Sequence, residues 1–295
     1  MKKRCKKPVV LTIILLTSYA VFAYAAYNLA VLYSGYVRGQ KKYTALADTY
    51  TVRTEEMDES EEIMDTKGDA FSEKQDISDL NGDVTEQFEP GYIEDGECPI
   101  TLNWAGLKAE NPDIIGWIYL DAYPDKSYPV MQSYDNDFYL HRDFNKEYLF
   151  AGCLFADWEN AADFSDPATI IYGHNMKDGS MFNCLKHYKE KEVYDASPYF
   201  WILTPNGDYR YHIYAAFDTM PKSAVYMLWD GDGQKFLSWE QDIQMASAVS
   251  NNVLLTERDH SVILSTCTPD SQHRTVVVGR CCSSIQPPRK PAPMQ

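Results

Sequence analysis

The spacing of apolar and polar positions changes several times along this chain, and each change predicts an element. Residues 9–33, VVLTIILLTSYAVFAYAAYNLAVLY, carry no charge. About 20 apolar residues cross a bilayer, so the run predicts a transmembrane helix. It exceeds the roughly 7 to 15 apolar residues of a cleaved signal and lacks a convincing cleavage site before its end, which points to an uncleaved signal anchor. Residues 34–97 read as a largely disordered acidic linker: 48–97 hold 18 Asp or Glu against Arg53, Lys67 and Lys74. Such a segment cannot bury enough apolar surface to offset its chain entropy. Its expected role is to hold the following domain off the membrane, with part of 44–64 left open as a continuing helix.

From residue 98 onward, short alternating runs separated by Pro, Asn, Asp and Gly predict many short strands and few helices. Residues 101–109 read as a helix ending before Asn111-Pro112. Strands are expected at 116–120, 128–132 and 152–157, with a helical turn at 137–143 and a helix at 180–189 capped by Ser180. Residues 199–204 and 209–217 flank Asn206-Gly207, a hairpin signal. An amphipathic helix is expected at 233–249, with Phe236, Leu237, Ile243, Met245 and Ala246 facing a core. The whole predicts a mainly β domain with flanking helices, a closed mixed β-barrel spanning 98–282.

The last two strands, 262–266 and 275–278, are rich in β-branched residues and joined by a loop short enough for an antiparallel hairpin. That pairing sets Cys267 opposite Arg274 and puts Arg280 opposite Ser261, about 20 Å along. A neighbouring cation favours a thiolate or the oxyanion formed when it attacks a carbonyl. The alternative is that Cys267 is a small buried hydrophobe. His174, ending the apolar run 169–172, is the candidate partner. His273 is its rival but projects away from Arg274, and Arg280 is the rival arginine, too far along the hairpin. His141, His187, His212 and His260 read as surface or packing residues.

Charge narrows the partners. The formal net charge is -16, yet residues 1–42 hold eight basic side chains and no acidic one. The basic flank 1–8 is expected to stay in the cytoplasm and the rest outside. The strongly acidic remainder is a poor binder of nucleic acid. Seven cysteines without CxxC spacing argue against structural zinc and against a disulfide framework. Cys98, Cys153 and Cys184 read as packing residues, with a bridge between two of them left open. No metal or cofactor is expected, and Asp230-Gly231-Asp232-Gly233 reads as a turn.

Leu264-Ser265-Thr266-Cys267 followed by Arg274-Thr275-Val276-Val277-Val278-Gly279, with Tyr172-Gly173-His174-Asn175-Met176 and Gly179-Ser180-Met181-Phe182 upstream, resembles a class B sortase. Asn111-Pro112-Asp113, Gly116-Trp117-Ile118, Tyr128-Pro129-Val130, Asp135-Asn136-Asp137 and Tyr139-Leu140 extend the resemblance over most of 100–280 in the family's order. It implies a membrane-bound cysteine transpeptidase of the Gram-positive surface, with Cys267 as nucleophile, His174 as general acid and base, and Arg274 stabilising the oxyanion. The expected partners are surface proteins bearing a C-terminal sorting signal, cut after Thr, and the amine of a peptidoglycan precursor (lipid II). Ser265, Thr266, Tyr172 and Asn175 are candidate substrate contacts; a plain hydrogen bond for Ser265 and core packing for Tyr172 are the alternatives. The helix-bearing stretch before residue 260 matches a class B insertion that could wall the groove. Cys281-Cys282 and a proline-rich tail, 283–295, expected to be disordered, depart from the family pattern. A pilin-joining sortase with a lysine acceptor, a plain cysteine protease and a tethered binding module without catalysis are the competing readings.

Overall fold

The computed structural model of this chain describes residues 7–54, 94, 96–231 and 233–288. Helix α1, Lys7–Tyr50, is 44 residues long, about 66 Å at 1.5 Å per residue. Its side chains over 11–31 are exposed, and among the described residues it is the one helix long and apolar enough to cross a membrane.

The second half of α1 behaves differently. Tyr43 and Leu46 are each only 4% exposed, and Tyr36, Ala47 and Tyr50 pack against the same core. Together with Gly39, these residues recur every three or four positions and form one helical stripe. Strand β1, Thr51–Arg53, then pairs antiparallel with β2, Ile100–Leu102. The linker expected at 34–97 is therefore corrected at its start, since 34–54 are helix and strand laid on the barrel. The spacer role is corrected as well. Residues 34–50 of α1 join the apolar span to the barrel directly, and β1, where the described chain breaks off, is paired with β2, where it resumes. Residues 55–93 and 95 lie outside the described residues.

After β2, helix α2, Trp104–Glu110, is capped by Asn103, whose side chain accepts the Gly106 N–H at 3.0 Å. It ends at Asn111, held extended before Pro112. The barrel strands are β3 (Ile114–Leu120), β4 (Tyr123–Met131), β5 (Leu154–Ala156), β6 (Ala168–Tyr172), β7 (Tyr199–Thr204), β8 (Gly207–Thr219), β9 (Ser261–Cys267) and β10 (Arg274–Cys281). They close in the order β10-β8-β7-β3-β4-β5-β6-β9. The β4–β5 and β6–β9 pairs are parallel and the others antiparallel, a mixed closed barrel as the short-strand pattern predicts.

Alternation along the strands divides the apolar residues into two cores. Val262, Leu264, Val277 and Ile171 face the barrel interior. Ile263, Val276, Val278 and Ile170 face outward, where helix α4, Gln234–Met245, covers them with Phe236, Trp239 and Ile243. In α4 the expected core contacts at Met245, 77% exposed, and Ala246, also exposed, are corrected. Trp239 and Glu240 occupy the buried face instead. A short helix α3, Lys191–Ala196, follows a 3-10 helix, Phe182–Lys189. The helix expected at 180–189 is thus 3-10, and Ser180 does not cap it: Met181 stands at the cap, while the Ser180 hydroxyl donates to Asp178 at 2.7 Å.

At the other terminus, Cys281 and Cys282 are buried, and the Ser283 hydroxyl accepts the Arg210 N–H at 2.6 Å. The tail expected to be disordered from 283 therefore begins against the barrel. Residues 289–295 lie outside the described residues.

Candidate active site

The β9–β10 register pairs Cys267 with Arg274 and Ser265 with Val276. The parallel β6–β9 register sets Tyr172 beside Ser265. Because paired residues share a face, Tyr172, Ser265, Cys267 and Arg274 all lie on the outer face of the barrel at one end of three adjacent strands. Gly173 extends the ladder, donating its N–H to Ser265 O at 3.0 Å. A Cβ on Gly173 would come within 2.3 Å of Leu154 Cδ2 and 2.7 Å of Phe182 Cδ2, so only glycine lets the chain turn so tightly here. His174 then leaves the ladder at the level of Cys267. The next residue makes the contact explicit: Asn175 Nδ2 donates to Cys267 O at 2.8 Å, and its Oδ1 accepts from Asn183 at 2.7 Å.

The imidazole of His174 is held by a main-chain oxygen and two stacked rings. Nε2 lies 2.8 Å from Leu140 O; a carbonyl can only accept, so Nε2 carries the hydrogen and Nδ1 is left to take or give a proton. The rings of His141 and Phe150 stack on it at 5.1 and 6.2 Å. Burial holds its proton affinity below the ordinary imidazole value, the Leu140 bond opposes this, and His141 adds to the depression.

Arg274 is partly exposed and donates one N–H to His273 O at 3.0 Å. Burial raises the phenols of Tyr172 and Tyr226 above the ordinary tyrosine range, while the Arg274 charge acts on both in the opposite sense. The guanidinium therefore lies within electrostatic reach of both rings, which stack at 6.4 Å. The Tyr226 hydroxyl is 2.8 Å from Ser265 Oγ, and Tyr172 donates to Asp157 at 2.9 Å. Tyr226 ends a 3-10 turn, Ala224–Tyr226, whose Ala224 carbonyl accepts the indole N–H of Trp239 at 2.8 Å. Helix α4 thereby holds one wall beside Cys267.

The four candidate substrate contacts divide. Tyr172 and Ser265 lie on the face of Cys267. Thr266 is buried and points to the opposite face, and the Asn175 amide is engaged by Cys267 O and Asn183. Tyr226, His141, Phe150 and Asp157 were not selected by sequence reasoning. Their signal, aromatic and acidic residues in loops, has no periodicity that would single them out. The rivals are placed elsewhere: Arg280 is 2% exposed at Ser261, the far end of the hairpin, and His273 is exposed, 3.6 Å from Asp270. Among the described residues, no group of three or more His, Cys, Asp or Glu could hold a metal ion.

The six described cysteines are free thiols. Burial pushes Cys98, Cys184 and Cys282 to about 12 and Cys281 to about 11, and raises Cys153 as well. Cys267 is partly exposed. At neutral pH, an iodoacetamide-type reagent is expected to label Cys267 ahead of these five, read by peptide mass spectrometry; equal or preferential labelling of the others would count against an open Cys267 groove.

Residues 125–281, more than half of the chain, match the family model described as the sortase domain. This chain belongs to the sortase family, among the class B sortases. It is 35% identical to the sortase B of Listeria monocytogenes over 178 residues, covering 59% of this chain and 72% of that protein. A Staphylococcus aureus sortase B–substrate complex superposes with a TM-score of 0.57 at 28% identity, covering 61% of this chain and 85% of that one. The Clostridium perfringens sortase B structure gives 0.56 at 29% identity, covering 60% and 98%. Membership makes this chain a sortase-family transpeptidase, a cysteine enzyme by its relatives.

Proposed function

We propose that this class B sortase is a membrane-anchored transpeptidase that cuts a C-terminal sorting signal after threonine and joins the protein to a peptidoglycan amine. The Cys267 thiol passes its proton to Nδ1 of His174 as its sulfur attacks the threonine carbonyl, the amide C–N bond breaks, and a C–S thioester remains. His174 supplies the proton to the leaving amine through Nδ1. The amine of a peptidoglycan precursor (lipid II) then attacks the thioester, the C–S bond breaks, and the proton the amine sheds passes through His174 to the departing Cys267 sulfur. Arg274 holds the carbonyl oxygen as it becomes anionic. The apolar half of α1 serves as the anchor, with its basic flank in the cytoplasm and the barrel outside.

The observation that carries this reading is the level shared by three strand ends: Cys267 opposite Arg274, with the chain at His174–Asn175 bonded to the Cys267 main chain. The S. aureus relative is described in complex with a substrate, and that substrate class is proposed for this chain too. The test is to incubate the full chain in detergent with Asn-Pro- and Ser-Pro-led pentapeptides having a central Thr, with and without added amine. Cleavage after Thr and amine-dependent diversion of the acyl product are expected; hydrolysis indifferent to amine would overturn the transfer.

Arg274→Ala is expected to lower kcat/KM by about 3 to 4 kcal/mol, on the order of 10²- to 10³-fold. Arg274→Lys should recover only part of this, because a point charge does not replace a planar fork of donors. The same peptide assay reads both.

A further inference from the structure

The membrane-distal half of α1 grips the very loop that holds His174. Tyr43 donates its hydroxyl to Gly152 O at 2.6 Å and lies 3.1 Å from Cys153 Sγ, with its ring set edgewise on Tyr128 and Phe144 at 5.7 and 5.9 Å. Gly152 has φ +56°, and a Cβ there would fall 2.2 Å from Leu140 O and 2.6 Å from Tyr139 O. Its backbone is thus pressed directly onto the oxygen that accepts the His174 Nε2 hydrogen. From the Tyr43 hydroxyl to the imidazole there are two intermediates, Gly152 and the Leu140 carbonyl.

Two further contacts from α1 reach the same loop. Lys42 bridges Asp143 at 2.5 Å and Glu147 at 2.6 Å. Asp143 in turn accepts the N–H groups of Asn145 and Glu147 at 2.9 Å each, which shapes the loop. Tyr36 meets the edge of Phe150 at 6.4 Å, and Phe150 lies nearly parallel to the His174 ring. Simple attachment of a helix to a barrel does not require all three contacts to converge on residues 140–152, when β4 also lies alongside.

We propose that Tyr43 is a positioning residue for His174: by fixing Gly152 it holds the Leu140 carbonyl that orients the imidazole, while Lys42 and Tyr36 steady the same loop. This rests on His174 being the acid and base of the proposed function. The anchor helix and the acid–base residue then form one mechanical unit, and a displacement of about 1 Å at such a group costs up to about 10²-fold in rate.

The test uses the full chain in detergent micelles. Tyr43→Phe keeps the ring packing and removes the hydroxyl. A five- to twentyfold loss of kcat is the expected order, with KM for the sorting peptide within about twofold, since substrate contacts are untouched. The His174 titration, followed by NMR of a histidine-labelled chain and assigned with His174→Gln, is expected to move to lower pH. The Leu140 bond is the contribution that favours the charged ring, and His141 is the titratable neighbour that acts on it. A lower melting temperature with kcat and titration both unchanged overturns the proposal. Should Tyr43→Phe fail to fold, Lys42→Met decides in its place, with the same directions expected. If the wild-type chain neither cleaves nor transfers peptide, the proposed function fails. The titration needs no turnover and still reads the coupling separately.

Discussion

Cys267→Ala is expected to abolish both cleavage and transfer while leaving the barrel folded. The residue sits at the end of β9, partly exposed and free, so losing its sulfur leaves no sealed cavity and no unpaired partner. Its carbonyl still accepts from Asn175, and its register with Arg274 is a property of the backbone. The chemistry has no such reserve. Without the thiolate no thioester forms, and loss of a nucleophile costs on the order of 10⁴-fold or more in enzymes that use one. Peptide cleavage followed by mass spectrometry, beside a melting curve for each protein, separates the two effects. A variant that retains even a tenth of the wild-type rate would end the assignment of Cys267.

His174→Ala is expected to lower kcat/KM by about 10²- to 10⁴-fold, the range of a positioned acid and base. It should also erase a feature of the pH profile. Burial is the main cause holding the His174 proton affinity below the ordinary 6.5, so the acidic limb of the wild-type rate should lie beneath that value. The stability consequence has a definite sign. The folded chain binds this proton less readily than the unfolded chain, so the stability contributed is present above 6.5, declines as pH falls below it, and is gone beneath the folded value. Melting curves from neutral to mildly acidic pH should show the wild-type chain losing more stability than His174→Ala over that window. Parallel curves, with an unchanged rate limb, would remove His174 from the mechanism.

The β9–β10 hairpin was legible from sequence to the residue, because two β-branched runs around a short polar loop leave little freedom of register; Cys267 against Arg274 and Arg280 against Ser261 are both found. The approach of His174 was not derivable in the same way. It depends on a parallel β6–β9 pairing between strands about 90 residues apart, which no local period encodes, so its place came from the resemblance. The extension of α1 was read only in part, as a helix left open within 44–64, for another reason. Acidic residues dominate 48–97, and that balance masked a stripe from Tyr36 to Tyr50 whose helical spacing is plain once residues 34–50 are read by themselves. In α4 Met245 was expected in the core and Trp239 was not; the indole took the buried side, where Ala224 O accepts its N–H. Ser180 was expected as a cap from its type alone, but Met181 occupies the cap position and the Ser180 hydroxyl donates to Asp178.

Helix α1 runs from Lys7 to Tyr50 without interruption, and a rod of this kind transmits rotation as well as height. Seated in a bilayer, it would fix the compass bearing of the groove, since each helical residue turns the barrel by about 100° while lifting it only about 1.5 Å. One residue inserted near position 34 would therefore swing the Cys267 face to another quarter of the membrane plane at almost unchanged altitude, and four would bring the bearing back to within about 40°, about 6 Å higher. Aim, more than reach, is what the length of this helix sets.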